Sequence, residues 1–206
     1  MRKKKQIILI HGGETWKKRE DYIRYLKTRE ISLERRESWS REYLEKQLSQ
    51  EFRIIRPQMP LKEDAKYEDW KIWFERHLEF LDDDCILIGN SLGGIFLAKY
   101  LSENDFPRRI KATFLVCPPF DDSIPDEDLA GGFELGNDLS KLEKNSHMVK
   151  LMFSKDDEVV PPSQAEKYKE ALKDAEIIMY DDKNGHFNIK EFPEIVEMIR
   201  KIGDHE

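Results

Sequence analysis

Six short apolar runs, each separated from the next by a longer stretch of helical spacing, restrict this chain more than any other feature. They are QIILI (6–10), FRIIR (52–56), CILIG (85–89), ATFLVC (112–117), MVKLMF (148–153) and AEIIMY (175–180). Their apolar residues are nearly continuous instead of alternating, as in strands buried on both faces, which points to a parallel sheet. Between them, residues 40–50, 67–81, 93–103, 161–173 and 193–202 space their apolar positions three and four apart, as amphipathic helices do. Proline at the start of 161–173 suits a helix N-terminus, where its missing N–H has no cost. This alternation predicts an α/β fold: a three-layer α/β/α sandwich around a mostly parallel sheet of about six strands with right-handed crossovers. No repeat, low-complexity tract or linker interrupts it. With 206 residues, enough for one sizeable core, positions 1–206 are expected to form a single domain.

Charge narrows the function classes. Charged residues make up 37% of the chain and the net charge is −7, which disfavours nucleic-acid or anionic-membrane partners, since both need a basic face. The opening MRKKK reads as a solvated end. No apolar run approaches the ~20 residues of a membrane span, and IILI is too short for a signal-peptide core. Cys85 and Cys117 both sit in apolar strand-like runs and read as reduced, buried small hydrophobes, not as a disulfide or metal pair. A cytoplasmic protein is expected.

Chemistry enters at CILIGNSLGG (85–94), where a serine stands between a buried strand and a helix. Gly89, Ser91 and Gly93 match G-x-S-x-G, in which the chain turns sharply from strand to helix and lifts the serine hydroxyl out of the sheet. Glycines two residues either side leave room for that turn. The pattern is short enough to arise by chance, so its context carries it: a strand before, a helix after.

A serine alcohol needs a base, and the base an orienting acid. In this fold class the chain order is Ser, acid, His. His11 precedes the serine, His77 lies in a helix with tryptophans, His147 precedes a strand and His205 is terminal. His186, in DKNGHFN after the last strand, falls at the carboxyl edge of the sheet and is the expected base. The acid is expected in VKLMFSKDDEVVPP, just past the fifth strand. Adjacent residues of an extended segment point opposite ways, so one aspartate faces His186; the spacing favours Asp157, leaving Asp156 facing solvent or bracing the turn. The oxyanion requires two donors: the backbone N–H of Leu92, directly after the nucleophile, and one from the HGG loop after the first strand, Gly13 first and Glu14 next.

The motifs LIHGG, GNSLGG, SKDDEVVP and NGHF, in this order, resemble the α/β-hydrolase superfamily over residues 6–202. The short length resembles in particular the small serine hydrolases of the retinoblastoma-binding-protein-9 type. The resemblance implies a trimmed, six-stranded parallel sheet, with Ser91 as nucleophile, His186 as base, Asp157 as acid, and Leu92 and Gly13 as oxyanion donors. Serine at the elbow disfavours dehalogenases, whose usual nucleophile there is aspartate. Two long connections depart from the minimum: the charged segment 13–51, expected to hold two helices and to fold over the site, and the Pro-, Gly- and Asp-rich loop 118–147, expected at the carboxyl ends of the strands.

The expected activity is a serine hydrolase cleaving small carboxylic esters or related acyl compounds. It needs no metal or cofactor; its partner is a small acyl substrate, and no protein partner is indicated. The alternative is a protein-interaction module on a hydrolase scaffold, motivated by the charged segments and by Trp16, Trp39, Trp70 and Trp73, which also read as core.

Overall fold

The computed structural model describes residues 3–34, 36–124 and 128–204; His205, weighed above as a base, lies outside the described residues. The six apolar runs form β1 (Lys5–Ile10), β2 (Phe52–Ile55), β3 (Cys85–Asn90), β4 (Ile110–Val116), β5 (Val149–Ser154) and β6 (Glu176–Tyr180). They pair in the order β2-β1-β3-β4-β5-β6, and every neighbouring pair is parallel. The sheet is therefore wholly parallel, as expected for near-continuous apolar strands.

Helices cover both faces because each strand sends alternate residues to opposite sides. Ile8, Ile10, Leu87, Leu115 and Leu151 pack beneath α3 (Tyr67–Leu78), α4 (Leu92–Glu103), α5 (Ser140–Asn145) and α6 (Ser163–Ala171). Ile7, Leu9, Ile86, Ile88 and Phe114 pack beneath α2 (Leu44–Leu48) and α7 (Pro193–Asp204). Helix α4, buried along most of its length, runs directly from the serine through the middle of the first layer. Among the described residues, no helix is long and apolar enough to cross a membrane.

Segment 13–51 divides in two. Its second half, a π-helical turn (Trp39–Tyr43) running into α2, buries Trp39, Leu44 and Leu48 against the sheet on the α7 side. Its first half, α1 (Arg19–Thr28), buries no residue and lies beside the carboxyl ends of the strands. Loop 118–147 contains one short helix, α5, that the sequence pattern did not predict. With Leu142 its one buried residue, the turn is too short to show a period. The tryptophans split as well: Trp39 and Trp70 are core, whereas Trp73 is 37% exposed.

Candidate active site

The sheet order changes direction at β1, with β2 on one side and β3 on the other. Helices leaving β1 and β3 go to opposite faces, so a crevice opens above their carboxyl ends, where open α/β sheets bind ligands. The loop after β1 and the turn after β3 meet there.

Ser91 occupies that turn with φ 53° and ψ −120°, a region that an L-residue adopts only when its surroundings force it. The force is packing. A β-carbon on Gly89 would come 2.4 Å from the carbonyl oxygen of Gly93, and one on Gly93 would come 2.3 Å from that of Ile10. Strand and helix thus touch backbone to backbone, and the serine side chain is turned outward.

Ser91 Oγ lies 2.8 Å from His186 Nε2, and His186 Nδ1 lies 2.8 Å from Asp157 Oδ2. A neutral imidazole that donates from Nδ1 to the carboxylate presents Nε2 as an acceptor, so the serine hydroxyl donates to it. The Asp157 side chain is fully buried, and its other oxygen accepts the N–H groups of Val159 and Val160 at 3.0 and 2.9 Å. Burial of the His186 ring opposes its charge, but the Cys117 sulfur and the Asp157 carboxylate beside it more than offset this and hold its pKa well above the ordinary imidazole value.

The turn carrying His186 is pinned on both sides. Asn184, Gly185 and Phe187 have positive φ, and Phe187 is buried against Tyr180 and Phe192. Asp156 instead binds the backbone of the same turn: it accepts the N–H of Gly185 at 2.7 Å and that of Lys183 at 3.1 Å, and it also accepts the hydroxyl of Ser154 at the end of β5. These bonds hold its carboxyl well below the usual carboxylate range. The two neighbouring aspartates thus do different work, Asp157 on the ring and Asp156 on the turn that carries it.

The loop after β1 brings Gly12 and Gly13 to the serine; a β-carbon on Gly12 would sit 3.3 Å from Ser91 Cβ. The Glu14 N–H is already given to the Lys62 carbonyl at 2.7 Å, which removes Glu14 as the second-choice donor. Among the described residues no backbone carbonyl takes the Gly13 N–H. Leu92 opens α4, where the first N–H groups of a helix lack intrahelical partners.

His11, set aside in the sequence reading, orients this loop. Its Nδ1 donates to the Gly12 carbonyl at 2.6 Å, and its Nε2 accepts the Met59 N–H at 2.9 Å. Burial lowers its pKa, in keeping with a neutral ring held between two backbone groups. A trans peptide sets its N–H opposite its C=O, so turning the Gly12 carbonyl toward His11 directs the Gly13 N–H the other way. Only the dipeptide HG in the sequence hinted at this. Of the other histidines, His77 bonds the Trp73 carbonyl of its own helix and His147 is exposed.

These residues open onto a cavity of about 380 Å³. Part of its lining is apolar (Pro119, Ile124, Leu129, Val159 and Val160) and part is polar or charged (Glu14, Tyr25, Arg29, Lys62 and Glu63). Tyr25 packs at a tilt against Trp16 with ring centroids 4.9 Å apart, and Trp16 donates to the Glu63 carbonyl at 2.8 Å. The charged first half of segment 13–51 therefore reaches the site; the second half does not. Loop 118–147 reaches it through Pro119, Ile124, Asp128 and Leu129, and the Asp128 charge is offset by Lys17 at 3.5 Å.

The whole-chain shape has known counterparts. The ydeN gene product of B. subtilis superimposes with a TM-score of 0.76 at 20% identity, covering 97% of this chain and 98% of its own. One of two metagenome-derived lipolytic enzymes, LipS and LipT, gives 0.64 at 13% identity over 97% and 94%. A meta-cleavage product hydrolase of Pseudomonas fluorescens gives 0.64 at 12% over 97% and 90%. These likenesses carry the α/β-hydrolase fold. No protein of curated function matches in sequence. Residues 33–200 match the family model described as serine hydrolase, and with most of the sequence inside that match, the chain belongs to the serine hydrolase family, on a trimmed α/β-hydrolase fold.

Proposed function

We propose that this hydrolase cleaves small carboxylic esters or related acyl compounds by acyl transfer through Ser91. The observation that carries the reading is the chain of two 2.8 Å bonds from Ser91 Oγ through His186 to buried Asp157, opening on a small cavity. His186 Nε2 takes the hydroxyl proton as Oγ attacks the carbonyl carbon, and Asp157 stabilises the imidazolium that forms. The N–H groups of Gly13 and Leu92 receive the developing oxyanion. His186 then returns the proton to the leaving alcohol, which departs and leaves an acyl-enzyme on Ser91. Water, deprotonated by the same nitrogen, releases the acid and restores the serine.

The lining suggests what a substrate carries. Its five apolar side chains suit a short acyl group, and Tyr25, Arg29 and Lys62 suit a polar leaving group. A volume of about 380 Å³ is near the lower end of ligand pockets, which favours small compounds.

Labelling with a fluorophosphonate, followed by mass spectrometry, tests the reading alongside a panel of p-nitrophenyl esters. Stoichiometric label on Ser91 with turnover falling as the acyl chain lengthens is the expected result. Ser91→Ala is expected to lose both label and turnover while keeping the fold. Turnover near wild type in that variant overturns the assignment. A folded wild-type chain that takes no label and binds a protein partner tightly would favour the interaction-module reading instead.

A further inference from the structure

We propose that Cys117 and His186 form a binding site for a soft divalent cation, zinc or cadmium, whose occupation switches the hydrolase off. The effect on turnover rests on His186 being the general base; the binding itself does not.

Cys117 has no part in the acyl transfer, yet it is placed with care. It follows β4 directly, is fully buried, and takes φ 41°, the left-handed region that cysteine seldom adopts. Its Sγ lies 3.7 Å from His186 Nε2, the nitrogen that also accepts from Ser91, and 3.8 Å from Asn90 Oδ1. A tetrahedral zinc with bonds of about 2.3 Å to sulfur and about 2.0 Å to nitrogen separates those two atoms by about 3.5 Å. The observed gap is therefore within a few tenths of an ångström of a ligand edge before any cation arrives.

The second shell is also present. Metal-bound imidazole characteristically donates its other N–H to a carboxylate, which fixes the tautomer and leaves the metal-facing lone pair free. Asp157 does this from the Nδ1 side at 2.8 Å. Although the ligand atoms of Cys117, Asp157 and His186 all lie within 4.8 Å of one another, Asp157 is on the far side of the ring and serves as the outer carboxylate, not as a ligand. Ser91 Oγ, 2.8 Å from the same Nε2, rotates to supply a third ligand, and water from the cavity completes the shell. The cation enters from that cavity, which His186 and Ser91 line.

The step balances without redox chemistry. The Cys117 S–H bond breaks, its proton goes to solvent, and the thiolate and the Nε2 lone pair bind the cation. The Ser91 O–H bond to Nε2 is lost, so the base has no lone pair left for the serine.

The test is an ultraviolet titration of the purified protein with cadmium, read by the thiolate-to-cadmium charge-transfer band, with zinc inhibition of ester hydrolysis in parallel. One equivalent is expected to saturate the band, and zinc inhibition is expected to be reversed by EDTA. Cys117→Ser and Cys117→Ala are expected to lose the band, while Cys85→Ala keeps it, because burial pushes the Cys85 thiol up to about 12. Asp157→Asn is expected to weaken cadmium binding about 10- to 100-fold, and His186→Ala at least as much. A band unchanged in His186→Ala, or a folded Cys117→Ser still inhibited at the wild-type zinc concentration relative to its own activity, overturns the proposal. The wild-type protein separates the two readings: a one-equivalent cadmium band in a folded chain that hydrolyses no ester counts against the proposed function alone.

Discussion

The carboxylate of Asp156 accepts the Gly185 N–H at 2.7 Å, one residue before the imidazole that Asp157 holds from the other side. The two adjacent acids therefore restrain His186 through different atoms, one through the ring and one through the backbone. Asp156→Ala removes two bonds from this turn, and one to Ser154 of β5, without touching the ring. The expected outcome is a loss of kcat on the order of 10- to 100-fold from misplacement of the proposed base, with KM little changed and the fold intact by circular dichroism. Unchanged kcat would show that the turn holds without it.

The pH profile follows from the sign of the His186 shift. As the proposed base, His186 works only as the neutral imidazole, and its pKa is raised above the ordinary 6.5. Turnover should therefore rise with pH through a limb lying above pH 6.5. Asp157→Asn removes a group that raises the pKa, so its limb should move to lower pH, while kcat falls by about 10²–10⁴-fold. The measurement is kcat/KM against pH for both proteins; a wild-type limb below 6.5 contradicts it.

His11 acts through the peptide it holds. His11→Phe keeps an aromatic ring there, somewhat larger, but frees the Gly12 carbonyl and leaves the Met59 N–H without its acceptor. A loss of about tenfold or more in kcat is expected, below the 10²–10³ of deleting an oxyanion donor outright. Affinity for a boronate transition-state analogue should fall in parallel, while that for a ground-state ester analogue should hold. Equal losses for both ligands would mean the loop had simply collapsed.

Gly93 carries the contact between α4 and β1. A β-carbon there would meet the Ile10 carbonyl at 2.3 Å, and the Ile10 backbone is not free to retreat. Gly93→Ala is expected to cost about 3 kcal/mol of stability, read as a lower urea midpoint. Gly136, with nothing within 4 Å of its β-carbon position, is the control: Gly136→Ala should be close to neutral.

What was legible in the sequence is what neighbours along the chain decide. Continuous apolar runs separated by helical spacing specify parallel strands and covering helices, because a strand buried on both faces cannot alternate. The turn at Ser91 is written in its own five residues: Gly89 is demanded by the Gly93 backbone within that turn, and Gly93 by the Ile10 carbonyl of the neighbouring strand. His186 and Asp157 could be nominated because each lies in the loop after a strand, and parallel strands deliver their following loops to one edge. What only the tertiary structure decided lies between segments far apart in the chain. The order β2-β1-β3-β4 puts the loop of His11 beside Ser91 and brings Cys117 to the imidazole 69 positions away. It also sends one half of segment 13–51 to the cavity and the other beneath α7. No local pattern distinguishes a histidine that holds a peptide from one on a surface, or a cysteine beside a base from one in a core. Those roles come from which strands are neighbours, and that is settled by packing both faces of the whole sheet at once.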